Sequence, residues 1–241
     1  MKPESCFKIG RNSKASHPRE FRAPSAIAMT RAQARERSIG RAWEELRNLP
    51  ELELEIGCGV GWHSLSRAMN LARDCRTSRG VVAIERTREK FDAFARRFAK
   101  HSTRQLPNLT GVQADARLWC AREVTAQIFD QVWILYPNPE PGRPQRNWLR
   151  EPFFSHLTHI VKSGGLLNLA TNSENYFTQS LEAHRHWRGF WEIQRSNSWS
   201  KATEPKFQAR THFERKYFER GQNLFELELI RLPHLDDGGP I

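Results

Sequence analysis

The sequence predicts an α/β domain built on a parallel sheet with helices on both faces. Three observations predict it. Short apolar, β-branched runs alternate with helical stretches from Leu52 onward, the pattern of successive βα units. The chain length of 241 residues suits one such domain with extensions better than two full domains. Glycines and acidic residues recur where the apolar runs end, the side of a parallel sheet on which ligands sit.

The first 41 residues stand apart. Lys2, Lys8, Arg11, Lys14, Arg19, Arg22, Arg31, Arg35, Arg37 and Arg41 face only Glu4, Glu20 and Glu36. With few large apolar side chains, such a segment cannot bury enough surface to offset its ordering entropy. Residues 1–45 therefore read as a basic, flexible arm, helical from Thr30 to Leu46, and residues 46–241 as the folded domain. The expected elements then follow in order. Strand Leu52–Ile56 leads into helix Trp62–Arg73, and strand Val81–Glu85 into helix Arg88–Lys100. Strand Leu109–Ala114 precedes a short helix, and strand Phe129–Tyr136 precedes helix Phe153–Lys162. Strand Leu166–Thr171 feeds helix Glu174–Trp187, and strand Leu224–Leu232 closes the sheet.

Composition bounds the function. The net charge of +11 favours a polyanionic partner, because Lys and Arg displace counterions from phosphates. Cys6, Cys58, Cys75 and Cys120 form no CxxC pair and no Cys/His cluster, so neither a zinc site nor a disulfide scaffold is predicted. No run approaches the roughly 20 apolar residues of a membrane span, and no secretory leader is legible. The expected setting is cytoplasmic, without membrane or metal.

The strongest local motif is Glu55-Ile56-Gly57-Cys58-Gly59-Val60-Gly61, placed between a strand and a helix. Its glycines permit a tight turn and close backbone approach to a ligand. It is not the dinucleotide fingerprint, which needs glycine where Trp62 stands. An acid two residues before the first glycine fits poorly beside a pyrophosphate and well beside a cation. S-adenosylmethionine carries an ammonium and a sulfonium and no phosphate. Glu85, ending the second strand, can accept from both ribose hydroxyls. Asp115, with the backbone amide of Ala116, ends the third strand and can read the adenine edge. Tyr136-Pro137-Asn138-Pro139-Glu140-Pro141 closes the fourth strand; its prolines fix φ and stiffen a loop placed over a transferred group.

Together these motifs resemble the bacterial tRNA guanine-N7 methyltransferase family, over about Leu52 to Leu229. Glu55 to Gly61 is similar to its EIGxGxG, and Tyr136 to Pro141 to its FPDPWP loop. Lys162 to Gly165 with Leu169 to Asn172 resembles KPGG…LATD, and Thr211 to Tyr217 with Gly221-Gln222 resembles TxYExKF…GQ. The resemblance implies a Rossmann-like methyltransferase with a mostly parallel seven-stranded sheet. It implies transfer of a methyl group from S-adenosylmethionine to a guanosine N7 in the tRNA variable loop. Glu55, Gly57, Gly59, Gly61, Glu85, Asp115, Ala116 and Asn138 would hold the cofactor, with Asn138 at the reaction. Thr211 and Glu214 would contact substrate, Glu214 by reading the guanine edge.

Three positions depart from the pattern. Asn138 stands where the family has aspartate, Gly142 where it has lysine, and Asn172 where it has aspartate. Arg143 and Arg146 lie near enough to replace the lysine's charge on the tRNA backbone. Guanine N7 carries no proton, so no general base is required. A carboxylate would stabilise the cationic purine better than an amide does, so weaker or redirected catalysis is expected. The alternatives are a methyltransferase acting on another RNA site and a catalytically weakened RNA-binding relative. The sequence leaves the oligomeric state open.

Overall fold

A computed structural model describes residues 36–74, 78–101, 106–139, 147–150, 152–204 and 206–233. The strands are β1 (Arg37–Gly40), β2 (Glu51–Ile56), β3 (Arg79–Glu85), β4 (Leu109–Gln113), β5 (Phe129–Leu135), β6 (Val161–Thr171), β7 (Trp191–Trp199) and β8 (Leu224–Arg231). The helices are α1 (Trp43–Leu46), α2 (Trp62–Arg73), α3 (Arg88–His101), α4 (Ala116–Glu123), α5 (Phe153–Ile160), α6 (Glu174–Trp187) and α7 (His212–Glu219). They build one sheet of order β1-β4-β3-β2-β5-β6-β8-β7. Strands β4, β3, β2, β5 and β6 are mutually parallel, while β1 and β8 run antiparallel to their neighbours. The expected Rossmann-like architecture is present, with eight strands among the described residues in place of seven.

The central strands are buried on both faces: Leu52, Leu54, Val82, Ile84, Val132 and Ile134 are all at most 3 % exposed. One apolar cluster gathers Leu54, Ile134, Phe153, Phe154, Leu157 and Trp191. A second gathers Leu65, Ala68, Val81, Phe91 and Phe94 beneath α2 and α3. Chain order reverses at β2, which lies between β3 and β5. That reversal opens a crevice at the carboxyl ends of β2 and β5, at Gly57 and Tyr136.

Three local expectations need correction. The helix expected from Thr30 to Leu46 is instead β1 followed by the single turn α1; residues 1–35 lie outside the described residues. Strand β1 pairs Arg37 with Gln113 and Gly40 with Thr110, satisfying the otherwise open edge of β4. Gly40 has φ +81°, and a Cβ there would meet the Leu109 carbonyl oxygen at 2.2 Å. Next, α5 ends at Ile160 and β6 begins at Val161, ahead of the expected Leu166, across an irregularity opposite Phe129 and Gln131. Finally, β7 and α7 occupy stretches with no expected element. Seven consecutive β7 residues are exposed, so this edge strand has no apolar alternation for a pattern reading to find.

Candidate active site

The turn after β2 rests on three left-handed glycines, Gly57 (φ +77°), Gly59 (φ +59°) and Gly61 (φ +76°). Their reasons differ. A Cβ on Gly57 or Gly59 would meet nothing within 4 Å, so both border open space; one on Gly61 would lie 2.0 Å from the Phe94 ring. Gly61 is thus fixed by helix packing, and the first two glycines by turn conformation and an open approach. Four of the loop's amides are already committed. Gly57 and Cys58 N–H donate to the Ile84 carbonyl at 2.8 and 3.0 Å, and Gly61 N–H to the Cys58 carbonyl at 3.0 Å. Gly59 N–H donates to Glu85 Oε2 at 2.9 Å. These amides do not converge outward as a phosphate cradle would require.

Glu55 lies beneath this loop, 3 % exposed. Its Oε2 accepts from the Ser64 hydroxyl and lies 3.1 Å from His63 Nδ1. Its carboxylate lies under the turn, with Oε2 taken by these partners. Glu85 is also buried, and its Oε1 accepts from Thr87 N–H at 2.6 Å. It therefore fastens the glycine loop to the end of β3. Asp115 caps α4, its carboxylate accepting from Arg117 N–H at 3.0 Å. It remains about one-third exposed, 3.9 Å from Arg86, and Ala116 is buried behind it.

Across the switch point, β5 is followed directly by Tyr136, whose φ of +53° is the one left-handed value among the described non-glycine residues. A bulky side chain in this region is strained, and other contacts hold it. Tyr136 N–H donates to the Ala170 carbonyl at 2.7 Å. Its hydroxyl donates to Glu214 Oε1 at 3.2 Å, and its ring lies 5.7 Å from that of Tyr217. Asn138, two residues on, is exposed. Gly142, Arg143 and Arg146 lie outside the described residues.

Glu214, expected at the guanine edge, lies inside the fold. It is fully buried, and its carboxylate accepts from Arg210 Nη2 at 2.7 Å, from Arg210 N–H at 2.5 Å and from Tyr136. Arg210 also reaches Glu226 on β8 at 2.5 Å. Burial and the Glu214 bond hold the Tyr136 phenol well above its ordinary range, and its paired carboxylates hold Arg210 protonated. A guanine edge cannot reach Glu214 in this arrangement without displacing one of these partners. Its geometry is that of a positioning residue for the Tyr136 loop. Thr211 caps α7, its hydroxyl accepting from Glu214 N–H at 3.0 Å. Asn172 Nδ2 donates to Gln222 Oε1 at 3.0 Å, tying the end of β6 to the segment after α7.

A family model described as "Putative methyltransferase" matches residues 50–227. The chain belongs to this methyltransferase family. Among its relatives, the tRNA (guanine-N(7)-)-methyltransferase of Nitrosomonas europaea is 28 % identical over 180 residues, covering 74 % of this chain and 75 % of the relative. The enzyme of the same name from Rubrobacter xylanophilus is 25 % identical over 188 residues, covering 75 % and 76 %. Among solved structures, the 16S rRNA methyltransferase KamB superposes with a TM-score of 0.59 at 17 % identity, covering 79 % of this methyltransferase and 93 % of that chain. A 16S rRNA (adenine(1408)-N(1))-methyltransferase from Catenulisporales acidiphilia gives 0.54 at 16 %, covering 83 % and 92 %. These likenesses show the shared fold.

The structure gathers Glu55, Gly57, Gly59, Glu85, Asp115, Tyr136 and Asn138 at one end of the methyltransferase sheet. Sequence reasoning missed the strained Tyr136, together with Arg210, Glu226, His63 and Ser64. The signal for Arg210 was weak but present, an arginine directly before the Thr-x-x-Glu cap motif. Trp148 packs edge-on against Phe153 at 5.0 Å and under the Arg117 guanidinium at 4.4 Å.

Proposed function

We propose that this protein transfers a methyl group from S-adenosylmethionine to N7 of a guanosine in the tRNA variable loop. One observation carries the reading: the glycine turn opens on Gly57 and Gly59 with its amides turned inward, over the buried Glu55. That cradle suits a cationic, phosphate-free ligand. The names of the relatives supply the substrate class. The other residues assigned to cofactor and substrate enter as part of the same proposal.

The residues fit the cofactor. Glu55 and the turn would hold the methionine end, Glu85 the ribose, and Asp115 with the Ala116 amide the adenine. When bound, S-adenosylmethionine supplies an electrophilic methyl group and a neutral leaving group. The protein's part is to orient and to exclude water. Tyr136, held by Glu214 and Ala170, sets the direction in which Pro137 and Asn138 leave β5. Asn138 offers an amide oxygen to the purine as N7 gains positive charge. Thr211, Asn172 and, outside the described residues, Gly142, Arg143 and Arg146 are assigned to the tRNA. A reducing, cytoplasmic setting belongs to the proposal and accords with the free, buried thiols of Cys58 and Cys120. Among the described residues, no helix is long and apolar enough to cross a membrane.

The test is incubation with unmodified tRNA and labelled S-adenosylmethionine, followed by borohydride reduction and aniline cleavage. Label in tRNA with a cut in the variable loop is expected. Label without a cut moves the target atom or base. No label, with cofactor binding verified in the same tube, overturns the assignment.

A further inference from the structure

Few large apolar side chains are exposed among the described residues: Trp62 at 39 %, Phe213 at 37 % and Ile193 at 37 %. Two of them lie in a setting of cations. Trp62, the first residue of α2, carries two guanidinium groups over its ring, that of Arg97 of α3 at 5.0 Å and that of Arg215 on α7 at 5.5 Å. Phe213 of α7 carries the Lys90 ammonium at 5.9 Å and stacks with Tyr217. Lys90 and Arg97 are seven residues apart, so they share one face of α3. No ion pair with a carboxylate occupies Lys90, Arg97 or Arg215 among the described residues, whereas Arg37, Arg67, Arg79, Arg122 and Arg210 are all paired. Arg97 Nε is buried without a hydrogen-bond partner.

We propose that the Arg215–Trp62–Arg97 ridge, with Lys90 and Phe213 beside it, is the surface on which the RNA substrate's sugar–phosphate backbone docks. Three arguments converge. Charge complementarity selects a polyanion, because these cations are held beside aromatic rings and not neutralised by acids. Arginine stacked on an indole is pre-organised, so less side-chain entropy is lost when its fork meets a phosphate. The location serves the site: Trp62 directly follows the Gly57–Gly61 turn, and Arg215 directly follows Glu214, which holds the reaction loop through Tyr136. Exposed Phe213 offers an unpaired base a stacking face at the same edge. The inference rests on the RNA-methyltransferase reading and adds to it the docking face.

The test measures binding of an unmodified tRNA transcript to the full chain by fluorescence anisotropy across a salt series. Trp62→Ala, Trp62→Phe, Arg97→Gln, Arg215→Gln and Ile193→Ala are compared with the wild type, and S-adenosylmethionine binding reports that each remains folded. Each arginine variant is expected to lower the slope of log affinity against log salt by about 0.7 to 0.9, and the affinity roughly tenfold. Trp62→Ala is expected to weaken binding about fivefold and Trp62→Phe to restore most of it. Ile193→Ala, at the far sheet edge, leaves both quantities unchanged. Wild-type affinity and slope in Arg97→Gln and Arg215→Gln overturn the proposal, as does a wild-type protein that binds no tRNA. The two readings separate cleanly. N7 methylation with unaffected variants sinks the docking face alone, whereas tRNA binding lost in the variants without any N7-methylguanosine product sinks only the target atom.

Discussion

The Tyr136 hydroxyl donates to Glu214 across 3.2 Å although 78 positions separate the two residues. The bond joins the strained end of β5 to the cap of α7, and Arg210 extends it to Glu226 on β8. A loop that needs one fixed exit direction is thereby held by a buried charged network.

Tyr136→Phe removes that hydroxyl and keeps the ring. Glu214 retains Arg210, so the loss is one hydrogen bond to a charged acceptor, about 1.5 kcal/mol, or a melting temperature lower by roughly 3 °C. Methyl transfer should slow several-fold as the loop gains freedom. Thermal denaturation and single-turnover rates check this, and an unchanged pair of values would remove the latch from the account.

Arg210→Met should do more damage. It strands Glu214, which has no exposed surface, as an uncompensated buried charge. The expected cost is about 3 kcal/mol, read as a lower urea midpoint at constant slope. Adding Glu214→Leu should recover part of that loss; a double variant no more stable than the single would contradict the buried-charge explanation.

Glu85→Gln should weaken S-adenosylmethionine binding roughly tenfold, since about 1.4 kcal/mol per decade is less than one charged hydrogen bond. Isothermal calorimetry measures it. Retention of wild-type affinity would place the ribose elsewhere.

Asn138→Asp should raise the rate of the methyl-transfer step by about tenfold, because a carboxylate stabilises the forming purine cation by ~1.4 kcal/mol more than an amide does. Unaltered rate and substrate choice would defeat the electrostatic argument for this position.

Stability should fall in mild acid through His156 on α5. Burial holds this imidazole below the ordinary histidine value, against the opposing bond to the Cys120 carbonyl. The folded state therefore binds fewer protons than the unfolded one below about pH 6.5. The contribution is intact above that pH and is lost as pH falls toward the lowered folded value. Melting curves between pH 7.5 and 5.5 should decline for the wild type and flatten in His156→Gln; an equal decline would absolve this residue.

Much of this protein was legible without coordinates. Helices Trp62–Arg73 and Glu174–Trp187 have the expected bounds, because the glycine turn ending at Gly61 starts the first, the Ser173 cap starts the second, and apolar periodicity runs through both. Gly57, Gly59 and Gly61 announced a tight turn, and the structure gives all three left-handed φ values that strain any other residue. The acids at the ends of β2, β3 and β4 were placed by topology, since successive parallel strands end on one side of the sheet. Tertiary structure alone decided the rest. Arg37–Gly40 carries one apolar side chain, Ile39, too little for a pattern, and it becomes a strand because β4 presents an open edge. Trp191–Trp199 is a strand because β8 pairs with it, the seven residues between its buried first tryptophan and its half-buried last one being exposed. Glu214 looked like a substrate reader by its motif. Folding brings Arg210 and Tyr136 around its buried carboxylate. Local sequence encodes turn conformation and periodicity, whereas the role of a charge depends on which distant groups share its desolvated site.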